Sequence, residues 1–399
     1  MPDAATPHSD LASARRPAHY DKRVALVLQG GGALGSYQAG VYQALAEADY
    51  LPDWVAGISI GAINAAIIAG NAPETRVDRL RAFWEEITAP TAHFPTGIGL
   101  GAGPLADAQR KAGAFGAMMF GQPGFYAPRS PLDFLPGNTT TSYYSTSALR
   151  GTLERLVDFD RINAREIRFS VGAVNVRTGR LTYFNNFDDG QTGKIRPEHV
   201  MASGALPPGF PPIEIDGEAY WDGGLISNTP LAHVLETQPR VSRLAFQVDL
   251  FQSYGKLPTT IEEVTERDKD IRYASRTRAA TQAFEAMHNI RSQVHDLLQV
   301  LPEEIRQLPE AKFLAGLACV TDMDVVQLIY RPFAPQGASK DFEFSRLTMR
   351  DRWEQGREDA AVNLRAAPWL TPHPPELGAR VFDVLHDVYV REAGLITGN

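Results

Sequence analysis

The chain contains a single cysteine, Cys319, in 399 residues. One thiol cannot close an internal disulfide, and no Cys/His cluster has metal-ligand spacing, so no metal is expected. Cys319 itself reads as a small buried hydrophobe. A basic excess is also missing: 39 Lys and Arg face 47 Asp and Glu, a net charge of −8. Nucleic-acid binding needs a basic surface that neutralises phosphates, so no nucleic-acid partner is expected. Broad electrostatic adhesion to anionic membranes is disfavoured on the same ground, which leaves only a local patch for transient contact with a lipid surface. The opening stretch MPDAATPHSDLASARRPAHY lacks the apolar segment of a secretory signal. It reads as part of a disordered tail over residues 1–22. The longest uncharged run, WVAGISIGAINAAIIAG from Trp54, is slightly short for a membrane span. Its glycines, Ser59 and Asn64 suit a buried strand, turn and helix better. A cytoplasmic protein is expected, at most peripheral to a membrane or lipid surface.

With 44% hydrophobic and 22% charged residues, the composition is that of a soluble globular protein. A chain of this length buries about three quarters of its unfolded surface, so a core can form without staples. Arg23 to Leu28 is a short apolar run of the kind found in buried parallel strands. After three glycines, Tyr37, Val41, Leu45 and Ala48 mark one stripe of a helix. WVAGIS and GAINAAIIAG repeat the strand–helix order, which points to an α/β sheet with right-handed crossovers. TRVDRLRAFWEEIT is an amphipathic helix. Residues 95–146 are rich in Gly, Pro, Ser and Thr and read as a long irregular lid or binding loop. IRFSVGAVNVRTGRLTYF reads as two strands turning at Thr178-Gly179, and RLAFQVDL as another buried strand. Beyond residue 255 the character changes to long charged helices, with a strand-like MDVVQLIYRPF between them. The division expected is a tail over 1–22, a catalytic domain over 23–254 and a mainly helical extension over 255–399.

Three segments carry chemistry. Gly30-Gly31-Gly32-Ala33-Leu34-Gly35 satisfies G-x-G-x-x-G. A dinucleotide fold also needs an acid at the end of the second strand. Asp53 precedes that strand, and Ser59 stands where the acid belongs. Gly57-Ile58-Ser59-Ile60-Gly61 is G-x-S-x-G between a buried strand and a helix, the context of a nucleophile elbow. The serine hydroxyl would stand at a helix N-terminus, where developing negative charge is favoured. Asp222-Gly223-Gly224 follows a further strand and precedes NTPL. In isolation it reads as a β-turn, but a serine needs a base and a carboxylate can serve.

In this order and context, GGGALG, GISIG and DGG resemble the patatin-like phospholipase family. So does the proline-rich approach MASGALPPGFPPIEIDGEAYWDGGLISNTP. The resemblance covers residues 23 to 250. It implies a three-layer α/β fold with helices on both faces of the sheet, and a Ser–Asp dyad. Ser59 would be the nucleophile and Asp222 the general base. Backbone amides of Gly30, Gly31 and Gly32, chiefly the last two, would form the oxyanion hole. Gly57, Gly61, Gly223 and Gly224 are the glycines of the two motifs. The implied reaction is hydrolysis of an acyl ester in a lipid through an acyl-enzyme, with no cofactor. The C-terminal segment resembles the helical extension of some bacterial members.

One position departs from the pattern. The family commonly has Arg or Lys where this chain has Leu34, which puts phosphate recognition in question more than ester hydrolysis. Among nine histidines, His199 and His233 lie nearest the DGG segment, and neither carries a motif of its own. Asp249, at a strand end, is expected to support the site loops or to cap a helix. Phe, Met and Tyr in GAFGAMMFGQPGFYAP are candidates for an acyl channel, a lid or local core. RLTMRDRWEQGREDAAVNL is expected to pack on the catalytic domain. Two other functions remain: an esterase, thioesterase or polyester-related hydrolase for non-phospholipid substrates, and a dinucleotide-binding protein. The long helices leave a homo-oligomer open.

Overall fold

The computed structural model describes residues 11, 14–89, 104–187, 193–332, 336–386 and 389. Its strands are β1 (Arg23–Leu28), β2 (Trp54–Gly57), β3 (Ala127–Pro128), β4 (Tyr144–Ser145), β5 (Arg168–Asn175), β6 (Leu181–Asn185), β7 (Ile213–Ile215), β8 (Glu218–Asp222), β9 (Arg243–Asp249), β10 (Met323–Ile329) and β11 (Ala379–Phe382). The helices begin with α1 (Ser36–Glu47), α2 (Ile60–Ala69), α3 (Arg76–Ile87), α4 (Pro104–Phe120), α5 (Ser147–Leu156) and α6 (Phe159–Asn163). They continue with α7 (Pro197–Ser203), α8 (Leu231–Glu236), α9 (Ile261–Val300), α10 (Glu303–Arg306), α11 (Pro309–Leu317) and α12 (Arg346–Ala366).

The main sheet runs β11-β10-β9-β1-β2-β5-β8-β7, with β6 also paired to β5. From β11 to β5 every pairing is parallel; β6, β7 and β8 add antiparallel pairings. The central strands are apolar along their length because both faces are covered. In β1, Val24, Leu26 and Leu28 belong to one core cluster, and Ala25 and Val27 to the cluster on the opposite face. In a parallel array the strand ends carrying Leu28, Gly57 and Asp249 lie at one edge, where loops can converge.

Several expected elements are present. The strand–helix pair around Ser59, the hairpin at Thr178-Gly179 and the strand ending at Asp249 are formed as read. Gly179 takes φ +66, the left-handed geometry that favours glycine in this turn. Three features differ. The tail assigned to residues 1–22 is ordered from Ala14 on: Ala14 is buried and the Arg16 amide donates to the Ala48 carbonyl. Residues 1–10 and 12–13 lie outside the described residues. The irregular stretch assigned to 95–146 contains α4, rich in Ala with two Met, good helix formers that outweigh its two glycines; residues 95–103 lie outside the described part.

The third difference concerns the region beyond residue 255. It is mainly helical, as expected, but β10 and β11 extend the same parallel sheet, with β10 in register with all seven residues of β9. Helix α12 lies directly on α1. Gly40 faces the Trp353 carbonyl and Gly356 faces the Tyr37 carbonyl, each so close that a β-carbon would fall 1.8 or 2.1 Å from that oxygen. Two glycines therefore set the distance between these helices.

Candidate active site

Ser59 sits in the sharp turn between β2 and α2, with φ 56 and ψ −124. That is left-handed backbone for a residue with a β-carbon, a conformation costing on the order of 1–3 kcal/mol and held only by its surroundings. Three observations show how it is held. A β-carbon on Gly57 would lie 2.2 Å from the Gly61 carbonyl, and one on Gly61 would lie 2.4 Å from the Leu28 carbonyl. The Ser59 amide donates to the Ser203 carbonyl and to Ser203 Oγ at 3.1 and 3.0 Å. Ser203 Oγ in turn donates to the Gly172 carbonyl at 2.7 Å.

Asp222 ends β8, opposite Ala173 of β5. Its carboxylate accepts the Gly224 amide at 2.7 Å and lies beside the Ser59 hydroxyl. Burial pushes its pKa up to about 7, and these two neighbours pull it back only in part. Gly223 packs against the Gly172 carbonyl, where a β-carbon would fall at 2.5 Å.

The glycine turn after β1 lies beside the elbow. A β-carbon on Gly30 would lie 3.0 Å from the Ser59 β-carbon and 2.4 Å from Asn228 Oδ1. The Gly30 amide donates to the Asn228 carbonyl at 3.1 Å, so this amide is already engaged, unlike its expected part in an oxyanion hole. Asn228 Nδ2 donates to the Gly30 carbonyl at 2.9 Å, closing a two-way clamp. Gly32 has φ +56 and lies against the Asp341 carbonyl. Behind the turn, Gln38 Nε2 donates to the Gln29 carbonyl, and Asn64 Nδ2 donates to the Gly35 carbonyl and to Gln38 Oε1. These bonds lock α1 and α2 together under the two loops.

Gly30, Gly31, Gly32, Ser59, Asp222, Gly224 and Asn228 line one cleft of about 710 Å³, its open mouth included. The remaining wall is mostly aromatic: Phe125, Tyr126, Phe210, Phe251, Tyr273, Phe342 and Phe344, with Asp341. Phe125, Tyr126, Phe210 and Phe344 touch one another with ring centroids 5.3 to 6.3 Å apart. Of the aromatic segment 113–128, only Phe125 and Tyr126 line the cleft, while Phe115, Met119 and Phe120 are exposed.

Among the described residues, no histidine lines this cleft. His199 is buried, accepts the Arg196 amide at Nδ1 and meets Phe184 edge-on. His233 stacks on Tyr183 at 4.0 Å and lies 3.3 Å from Ser170 Oγ; burial lowers its pKa to about 4. Asp249 is buried and accepts from Thr229 Oγ1 at 3.2 Å and from Gln247 Nε2. It thus ties the end of β9 to the loop following DGG, and burial raises its pKa to about 7. Asp53 pairs with Arg243 at 2.6 Å, at the opposite end of the strands from Ser59. Leu34 is fully buried in the core and does not line the cleft. Among the described residues, no group of three His, Cys, Asp or Glu converges as a metal site.

Asn228, Ser203, Asp341 and Phe344 were not singled out in the sequence. Asn228 lies six residues after Asp222 in a segment that was quoted, so its position was within reach. Asp341 and Phe344 come from beyond residue 255 and carry no local signal.

The α/β sheet thus brings a strained serine turn, a buried carboxylate and a glycine turn to one cleft. The chain belongs to the patatin-like phospholipase family: the model described as Patatin-like phospholipase matches residues 26–235, and one described as Patatin phospholipase matches residues 271–376. Among curated relatives, lysophospholipase nte1 of Aspergillus terreus is 38% identical over 87 residues, 19% of this chain and 6% of that protein. A patatin-like phospholipase domain-containing protein of Neurospora crassa is 51% identical over 47 residues, 12% of this chain and 5% of that protein. The chain therefore spans only a small part of the curated relatives it matches. Among solved structures, VipD from Legionella pneumophila is similar at 16% identity and a TM-score of 0.38, covering 94% of this chain and 74% of that one. No helix among the described residues is long and apolar enough to cross a membrane.

Proposed function

We propose that this protein is a serine acyl hydrolase that cleaves acyl esters of phospholipids or related lipids. The observation that carries the reading is Ser59, held in a strained turn beside the buried Asp222 carboxylate, in a cleft walled by glycines and aromatic rings. Asp222 takes the Ser59 proton as Oγ attacks the ester carbon. The amides of Gly31 and Gly32 face the resulting oxyanion. Collapse returns the proton to the departing alcohol and leaves Ser59 acylated. Water, deprotonated by the same carboxylate, then releases the fatty acid and restores the serine. The aromatic wall suits an acyl chain, since burying each methylene contributes about 0.8 kcal/mol. A dinucleotide is disfavoured because Asn228, Leu250 and Asp341 already pack against the three glycines where a pyrophosphate would have to lie.

The test is hydrolysis of a p-nitrophenyl ester series of increasing acyl length, with EDTA present. Wild type is compared with Ser59→Ala and Asp222→Asn. Activity that rises with chain length and disappears in both variants supports the reading. Full activity in Ser59→Ala would refute it. A preference for the shortest esters would favour a non-lipid substrate.

A further inference from the structure

Among the described residues, those lining the cleft include two acids, Asp222 and Asp341, and no Lys, Arg or His. Asp341 reaches the cleft from the segment before α12, more than a hundred residues after DGG. Its carbonyl abuts Gly32, and its carboxylate takes a hydrogen bond from Lys269 Nζ at 2.7 Å. Lys269 also donates to the Ala338 carbonyl at 2.7 Å. The pair is partly shielded, with side chains 25% and 18% exposed. Its neighbour Lys340 is buried and paired with Asp270 at 2.6 Å and Glu266 at 3.4 Å. Arg352 donates to the Lys340 and Glu343 carbonyls. The segment is thus fixed, and Asp341 cannot swing away from the cleft without breaking these contacts.

We infer that Asp341, held by Lys269, is a specificity-determining residue that sets the charge of the alcohol half of the substrate: cationic or uncharged alcohols are accepted and anionic ones are disfavoured. The inference rests on the hydrolase reading above and deepens it. Lys269 is paired with Asp341, Lys340 with Asp270 and Glu266, and Asp222 must be ionised to act as a base. A phosphate monoester brought into this cleft meets two carboxylates and no unpaired cation among the lining residues. A trimethylammonium group meets an acid and aromatic faces, both favourable partners. The buried Leu34 provides no compensating charge at the glycine turn.

The experiment compares kcat/KM for three monomeric hexanoyl esters differing in the charge of the alcohol: hexanoylcholine, monohexanoylglycerol and hexanoyl-glycerophosphate. Working below any aggregation threshold removes surface binding from the comparison. In wild type the anionic ester is expected to be the poorest of the three. Asp341→Asn keeps the shape of the residue and releases the Lys269 charge, so the anionic-to-neutral ratio should rise about three- to tenfold, the scale of one screened charge. Lys269→Gln leaves Asp341 uncompensated and should lower that ratio by a similar factor, which decides the matter if Asp341→Asn fails to fold. An anionic ester preferred by wild type, or ratios within twofold of wild type in both variants, would overturn the inference. Ser59→Ala run alongside separates the two claims: if Ser59→Ala abolishes all three activities while Asp341→Asn and Lys269→Gln keep the wild-type ratios, the hydrolase reading stands and the charge selection falls.

Discussion

The carbonyl oxygen of Asp341 lies 2.3 Å from where a β-carbon on Gly32 would be placed, and Gly32 has φ +56. The turn beside the serine elbow is therefore packed against a segment of the C-terminal region. Gly32→Ala combines a strained backbone with a clash against backbone, which cannot rotate aside as a side chain can. The turn would have to move, taking the Gly31 and Gly32 amides with it. The expected result is a folded protein whose kcat falls about 10²–10³-fold, the loss typical of one oxyanion donor. Ester kinetics together with circular dichroism check this; near-normal kcat in a folded variant would show that these amides do not face the reacting carbonyl.

Asp222 links pH to both activity and stability. Burial raises its pKa from 3.8 to about 7, so a large fraction is protonated at neutral pH and cannot act as a base. kcat/KM should rise between pH 5 and pH 8, in roughly tenfold steps per unit on the acid side, with its midpoint near 7. The stability effect has the opposite sign. The folded pKa lies above the unfolded one, so the protonated form stabilises the fold at low pH, and that contribution is lost as pH rises towards 7. Asp222→Asn should therefore melt higher than wild type at pH 8, with the gain shrinking towards pH 4. Melting curves at several pH values check it, and a variant that melts lower than wild type at pH 8 would contradict this account of Asp222.

The parts of the site legible in the sequence were those whose geometry is local. A strand, two glycines and a serine within five residues specify an elbow almost by themselves, and DGG after a strand was recognisable once the other two motifs were present. The surroundings were not legible, because they are made by distant residues. Ser203 steadies Ser59 from α7, and Asp341 packs against the glycine turn from far downstream. Neither has a spacing that periodicity can register. Helix α4 was missed for a different reason: the Gly and Pro content of its surroundings suggested a loop, while its own Ala and Met content favoured a helix. MDVVQLIYRPF did read as a strand, but nothing local says that it pairs with β9 and enlarges the same sheet.

Asn228 clamps Gly30 through both its backbone and its side chain. Asn228→Ala leaves the Gly30 carbonyl without its side-chain donor in a buried setting, a loss of about 1–3 kcal/mol. The backbone half of the clamp survives, so the fold should persist with a looser turn. The expected signature is a drop in kcat of about 10–100-fold with little change in KM, because the acyl-chain wall is untouched. A change confined to KM would place Asn228 in substrate binding instead.

The C-terminal region should be indispensable for folding. Asp324 on β10 is fully buried and paired with Lys22, just before β1, at 2.7 Å and with Arg380 on β11 at 2.7 Å. Removing one member of such a cluster strands buried cations, so Asp324→Ala should destabilise the protein by about 3–5 kcal/mol. Ending the chain at residue 254 is more severe. It strips β10 from β9, leaving seven otherwise buried residues as an unpaired strand edge, and it uncovers the face of α1 that meets α12 at Gly40. The shortened protein is expected to be insoluble or to lack cooperative melting, whereas Asp324→Ala should still fold with a lowered melting temperature. A soluble, cooperatively melting fragment 1–254 that hydrolyses p-nitrophenyl esters would show that β10 and α12 are dispensable cover rather than part of the structural core.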